Sequence, residues 1–300
     1  RTDGSVGPAA RALVGPAFVV PQTLGRLAGG NLFHSFATFN VGSGESATFT
    51  TATPGIQNVV SRVTGGTPSS INGVLSLVAA NGAPDFFFIN PAGITFGNGA
   101  SINVPGAFHA GTADYVKFAD GRFYADPQKA SSFSSAAPDA FGFLGTSRAA
   151  VMLHDGATLV PRRTHGVSLV AGDIGVDNAV VAAGAGEIRL AAVGQVTAEV
   201  GFSGALPQGL GQITLGNQAA LVSSSIGVLD GGAVALSAGQ IAIDGGAYVY
   251  STVGAGASGH GGAIDVSGQV LADGWLYVQS GYSMFGQLPG NMLLAYRVAR

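Results

Sequence analysis

Five histidines are the first residues to weigh for chemistry: His34, His109, His154, His165 and His260. A zinc centre needs three or four nitrogen, sulfur or oxygen ligands at short, recognisable spacings. None of the five has a His-x-His or His-x-x-x-His neighbour, and the chain has no cysteine, so no metal is expected. His154 and His165 bracket Arg162-Arg163 and read as a polar edge. Gly254-Ala255-Gly256-Ala257-Ser258-Gly259 has the glycine spacing of a dinucleotide fingerprint. That fingerprint holds phosphate only at the start of a helix, and here a strand pattern follows, so it reads as a loop and no cofactor is expected. Gly261-Gly262-Ala263-Ile264-Asp265 lacks the central glycine and the tandem repetition that calcium-binding nonapeptides need.

The residues that do recur are structural. Gly, any residue, Ile or Val, any residue, Leu or Val occurs at Gly186–Leu190, Gly211–Leu215, Gly232–Leu236 and Gly262–Val266, at spacings of 25, 21 and 30 residues. Branched apolar residues two apart point to one face of a strand. A strand recurring once per coil of such length predicts a solenoid, in which each coil buries its apolar face on the next. A second phrase follows at Gly194-Gln195-Val196, Gly239-Gln240-Ile241 and Gly268-Gln269-Val270. A third joins a turn to a strand at Asn98–Ile102, Asp155–Leu159, Asn217–Leu221 and Asp244–Val249, with a looser copy at Asp273–Val278. Asn or Asp with Gly suits a left-handed turn. Three phrases in fixed order predict a three-sided coil. At about 25 residues each, ten to twelve coils would make a rod of roughly 50–60 Å.

Composition agrees. Charged residues are 10% of the 300, the net charge is −3, and 49 residues are glycine. No basic stripe marks a nucleic-acid groove. No apolar run approaches a membrane span, and no amphipathic helix stands out. The absence of cysteine suits export of an unfolded chain through a narrow pore. The chain opens Arg1-Thr2-Asp3-Gly4 with no basic-then-apolar leader, so an export signal peptide would already be removed. Residues 1–30 read as an N-terminal cap, 126–146 as the longest surface excursion, and Met284–Arg300 as a break in the pattern, either a cap or a truncation.

Five stretches of the first half read together: Asn31-Leu32-Phe33-His34-Ser35-Phe36 leading to Phe39-Asn40-Val41, and Asn58-Val59-Val60-Ser61-Arg62-Val63-Thr64-Gly65-Gly66. Pro68-Ser69-Ser70-Ile71-Asn72-Gly73, Phe88-Ile89-Asn90-Pro91-Ala92-Gly93-Ile94-Thr95-Phe96-Gly97 and Thr112-Ala113-Asp114-Tyr115 follow. On these motifs residues 31–123 resemble the N-terminal secretion domain of the filamentous haemagglutinin family, the TpsA-type exoproteins of two-partner secretion. Ala92 stands where the family's Asn-Pro-Asn-Gly-Ile turn has its second Asn, and the Asn-Pro-Asn-Leu motif is absent, which suggests a divergent subgroup.

The resemblance implies an all-β, right-handed parallel β-helix with an N-terminal cap and extra-helical strands. It implies a cap and secretion-signal region over 1–148 and continuing coils over 149–300, in one elongated domain. The implied partner is an outer-membrane β-barrel transporter of TpsB type, acting through its periplasmic domains, with no nucleic acid involved. A host-cell or surface glycan receptor and head-to-tail self-association are further partners to expect. The protein would reach the surface or medium of a Gram-negative bacterium as an adhesin-like exoprotein. Asn31, Phe33, Phe36, Phe39, Asn40, Asn90, Pro91, Gly93 and Ile94 are the candidates for transporter recognition.

No catalytic residue is expected. The alternatives are a β-helix polysaccharide-degrading enzyme and a haem- or receptor-binding exoprotein. The enzyme would need a close carboxylate pair, yet outward acids are sparse: Glu187, Asp265 and Glu199, with Asp155, Asp177, Asp244 and Asp273 at turns.

Overall fold

Strand phrases one coil apart pair in parallel. The computed structural model describes residues 1–162, 164–225, 228–254 and 258–272, with the backbone of Trp275–Ser280 and Met292–Arg297. The expected loop at 254–259 and the looser third-phrase copy fall largely outside the described residues.

Three parallel faces wind into a β-helix. The first stacks Asn31–Phe36, Asn58–Val63, Asp85–Ile89, Phe108–Gly111, Val167–Ala171 and Ile188–Ala192. It continues into the first parts of Val234–Ile243 and Ile264–Ala272. The second stacks Ser69–Ile71, Ile94–Phe96, Ala150–Leu153, Asp173–Asp177 and Gln212–Gly216, then the second parts of those two long strands. The third runs from Ala17–Pro21 through Ser46–Thr50, Val74–Val78 and Ser101–Asn103 to Tyr248–Val253, and ends in the antiparallel pair Trp275–Ser280 and Met292–Arg297.

Register assigns each phrase to a face. Ile188 stacks on Val234 and Val234 on Ile264, as the first phrase requires. The leading glycines are there because nothing larger fits. A Cβ on Gly232 would lie 1.9 Å from Gly186 O, and one on Gly262 would lie 2.4 Å from Gly232 O. The third phrase also holds, with Ser101 on Thr158, Thr158 on Val180, Val180 on Ala220 and Ala220 on Tyr248. Its turns use left-handed Asp155 and Asn217, at φ of 55° and 46°, and Asn178, at 47°, makes the same turn ahead of Val180 in a copy that the sequence pattern does not single out.

Two expectations change. Gly211-Gln212-Ile213 belongs to the second face, where Gln212 stacks on Gln240 and Gln240 on Gln269. Gly194-Gln195-Val196 instead leads out of the solenoid into Thr197–Gly201. The coils are also fewer. The first face has eight strands among the described residues, a stack of roughly 35 Å at ~4.8 Å per strand.

The missing length is spent outside the solenoid. Two excursions build a four-stranded antiparallel sheet in the order Gly121–Tyr124, Tyr115–Phe118, Pro138–Leu144, Thr197–Gly201. Part of the surface excursion expected at 126–146 is therefore a central strand of this sheet, paired on both sides. The sheet covers the outer side of the first face, so that face is buried twice. Leu32, Phe36, Phe86, Phe88, Phe108, Ile188 and Leu190 point into the solenoid. Phe33, Val60, Phe87, Ile89, Val170 and Ala191 point outward against Phe118, Phe123, Phe141, Phe143 and Val200. On the far side of the extra-helical sheet, Glu199 accepts from Tyr115 Oη at 2.8 Å and pairs with Lys117 and Arg122, tying the two excursions together. Hydrogen bonds from Lys117 and Tyr115 hold the Glu199 carboxyl below its ordinary value.

Candidate functional site

The nine candidate residues lie in the first coils, and the fold divides them. Asn31 begins the first strand of the first face. Its Nδ2 donates to Ser134 O at 2.9 Å and Ala136 O at 2.6 Å, while its Oδ1 accepts from Asn58 Nδ2 at 2.8 Å. A buried amide so satisfied fastens the loop that leads into Pro138–Leu144. Asn31→Ala would leave two carbonyls unpaired and is expected to cost about 1–3 kcal/mol. Faster tryptic cleavage at exposed Lys129 than in the parent checks it; equal rates would show that the loop is held by other means.

Phe33, Phe36 and Phe39 divide between two faces. A strand alternates its faces, so Phe33 points outward, with ring centroids 4.9 Å from Phe123 and 5.4 Å from Phe133. Phe36 and Phe39 point inward and meet edge to face at 5.0 Å. Phe39 also reaches Phe88 at 5.0 Å, joining the first coil to the third.

Asn40 and Asn90 are brought together on one strand. Asn40 Oδ1 accepts from Ser70 N at 2.9 Å, and Asn90 Nδ2 donates to Ser69 Oγ and Thr67 O, each at 3.0 Å. Asn90 also closes its own turn. Its Oδ1 accepts from Ala92 N and its backbone O from Gly93 N, each at 3.0 Å. Gly93 has φ +123°, a conformation that L side chains rarely adopt. Pro91 is half-buried in that corner, and Ile94 is buried at the start of the next second-face strand, stacked on Val151.

Two residues of this region carry more of the structure than their sequence suggests. Arg62 points outward from Asn58–Val63 yet is only 3% exposed. Its Nε donates to Ser35 Oγ at 2.8 Å, Nη2 to Ser5 Oγ at 2.9 Å, and Nη1 to Ser131 Oγ at 3.1 Å and to Tyr124 O. Its guanidinium lies 4.4 Å from the centre of the Phe123 ring. One cation therefore joins the N-terminal cap, two successive coils and the extra-helical hairpin. Asp3 completes the cluster, accepting from Ser35 Oγ at 2.6 Å and Thr64 Oγ1 at 2.8 Å. Burial pushes the Asp3 carboxyl up, but the hydrogen bonds from Ser35, Ser5 and Thr64 outweigh it and hold it below its ordinary value. His34 is the second. It points inward, 5.3 Å from Phe49, with neither ring nitrogen partnered, and burial drives its pKa down to about 3. The available sequence signal in both cases was one polar side chain inside an apolar run.

A family model described as the TPS secretion domain matches residues 17–215, about two thirds of the chain. The chain belongs to the TPS secretion domain family. It is thus part of a two-partner secretion exoprotein, secreted from a Gram-negative bacterium, whose partner is an outer-membrane transporter of TpsB type. Among solved structures, the HMW1 secretion domain from Haemophilus influenzae is similar at 15% identity, over 87% of this chain and 74% of that one, with a TM-score of 0.46. No curated protein matches the chain. The matched span runs from the strand Ala17–Pro21 into the strand Gln212–Gly216, which it enters but does not complete, and includes both excursions.

Proposed function

We propose that residues 1–148 of this secretion domain carry the cap and the export signal, and that 149–300 continue the coils as a scaffold for an adhesin-like exoprotein. The signal is read by the transporter's periplasmic domains as extended chain, before the coils close. The carrying observation is burial. Asn31, Phe33, Phe36, Asn90 and Ile94 are each at most 1% exposed, so the folded domain offers a partner almost none of them. An unfolded segment offers all of them, and Pro91 holds Asn90 extended. Strand addition to a sheet edge would then supply main-chain hydrogen bonds, with pockets for Phe33, Phe36 and Phe39.

The test separates reading from folding. Pro91→Ala is expected to change stability by no more than ~1 kcal/mol, while secretion with the cognate transporter falls about tenfold, or ~1.4 kcal/mol of recognition. Asn90→Ala costs more stability, about 1–3 kcal/mol, because its buried partners are orphaned. Secretion is scored in culture supernatant and stability on refolded protein. Normal export of both variants, with Asn90→Ala clearly destabilised, would end the recognition claim. Undiminished secretion after deletion of 31–96 would end the broader one.

Glycan hydrolysis has less support. Asp85 and Glu187 line one outer hollow, but the backbone bonds Phe86 N to Ala107 O, Phe108 N to Gly166 O and Val167 N to Glu187 O set three strand spacings between them. That is about 14 Å along the stack, beyond the ~5–9.5 Å of a glycosidase pair. Head-to-tail association is not part of the proposal either, since Met292–Arg297 pairs antiparallel with the third-face edge that a second copy would need.

A further inference from the structure

Export uses the first coils and leaves a second feature without a role. Beside the extra-helical sheet, the outer side of the first face holds a hollow of about 440 Å³, within the range of small-molecule sites. Ala107 and Gly166 are small and stand on adjacent coils, which opens its floor between Asp85 and Glu187. Phe202 walls one side and stands 4.9 Å from both Phe87 and His109, centre to centre.

Next to that floor, three successive coils place His109, Ser168 and Arg189 in register. His109 Nδ1, Ser168 Oγ and Arg189 Nε are buried with no hydrogen-bond partner. A native interior holds only a few such atoms, scattered, and three on successive coils lining one hollow point to a missing polar partner. The carboxylates are each half-used. Asp85 Oδ1 accepts from Ala107 N at 2.6 Å, and Glu187 Oε1 accepts from Arg189 Nη1 at 2.9 Å.

We propose that this hollow binds a neutral polyhydroxylated ligand of one or two sugar rings. Hydroxyls can donate to the second oxygens of Asp85 and Glu187, and a sugar's apolar face suits Phe202. A turn of the Ser168 and Arg189 side chains towards the hollow brings their unpaired donors to the ligand. An anion is disfavoured, because Arg189 is already paired with Glu187 and Asp85 leaves the site net negative. A polyamine would leave the Arg189 and Ser168 donors unanswered.

Saturation-transfer NMR and calorimetry on the 300-residue chain would test this with methyl glucoside, methyl galactoside, N-acetylglucosamine, lactose and maltose, against galacturonate and spermidine. Saturable binding of at least one neutral sugar, at millimolar Kd or better, is expected. Ala107→Leu, which fills the floor, should weaken it about tenfold or more at an unchanged unfolding midpoint. Should that variant not fold, Ser203→Trp on the exposed rim should block entry instead. No saturable binding up to ~50 mM, preference for galacturonate or spermidine, or binding unaffected by the folded variant would overturn the proposal.

Discussion

Replacing Arg62 with methionine is expected to lower the unfolding free energy by about 3–5 kcal/mol. Methionine fills part of the volume but donates nothing. Tyr124 O, Ser131, Ser35 and Ser5 then lose a shared donor, and Asp3 is left beside them without its compensating cation. Arg62→Lys keeps the charge but is expected to recover less than half of the loss. An ammonium cannot span three segments in the planar fork that the guanidinium uses. Whole domains are stable by only about 5–15 kcal/mol, so the methionine variant should be close to unfolded at moderate urea. A loss under ~1 kcal/mol would mean that the cap and hairpin hold without this residue.

The second large effect is acid sensitivity that begins well above the carboxylate range. Burial lowers the pKa of both His34 and His109 from 6.5 to about 3. The unfolded chain therefore takes up two protons below pH 6.5 that the folded chain refuses until near pH 3. Their contribution is fully present above about pH 6.5 and is lost as the pH falls towards 3. At 1.36 kcal/mol per unit, each histidine accounts for about 2 kcal/mol of loss by pH 5. Asp3 and Glu199 have depressed values and act in the same direction, but only from their ordinary 3.8 and 4.5 downward. Asp85, raised chiefly by burial, acts oppositely, favouring the fold at low pH and losing that as pH rises. The fall between pH 6.5 and 5 thus belongs mainly to the histidines. Urea titrations at pH 7, 6 and 5 should show His34→Leu with a clearly shallower decline than the parent. Equal slopes would remove His34 from the account.

What the sequence revealed follows from how local each signal is. The Ile and Leu of Gly186–Leu190 and the left-handed Asp155 act within a few residues, so their faces and turns were readable. The first-phrase reading of Gly211–Leu215 failed because the pattern of a strand does not say which side of the coil it lies on. That requires knowing that Thr197–Gly201 leaves the solenoid to pair with Ala140–Leu144. The coil count failed for the same reason. Within the candidate site, the turn at Asn90 was legible because its partners are near in sequence. Phe33 parts from Phe36 and Phe39 because a strand alternates its faces with a period of two, which becomes readable only once Asn31–Phe36 is known to be a strand. The role of Arg62 was not legible because the hairpin that buries it comes more than sixty residues later.

That separation sets a timetable for export. Asn31 is completed by carbonyls 103 and 105 residues downstream, and Arg62 by groups 62 and 69 residues downstream. If the chain emerges amino end first, about 350 Å of extended polypeptide must pass after Asn31 before its last partner arrives. Until then the opening coils contain a cation and an amide that they cannot bury at a favourable free energy. The domain is built like a lock with a delay. Its first turns hold an unfinished cation and amide until the later chain arrives, so their full closure is expected to follow delivery of residues 124–136.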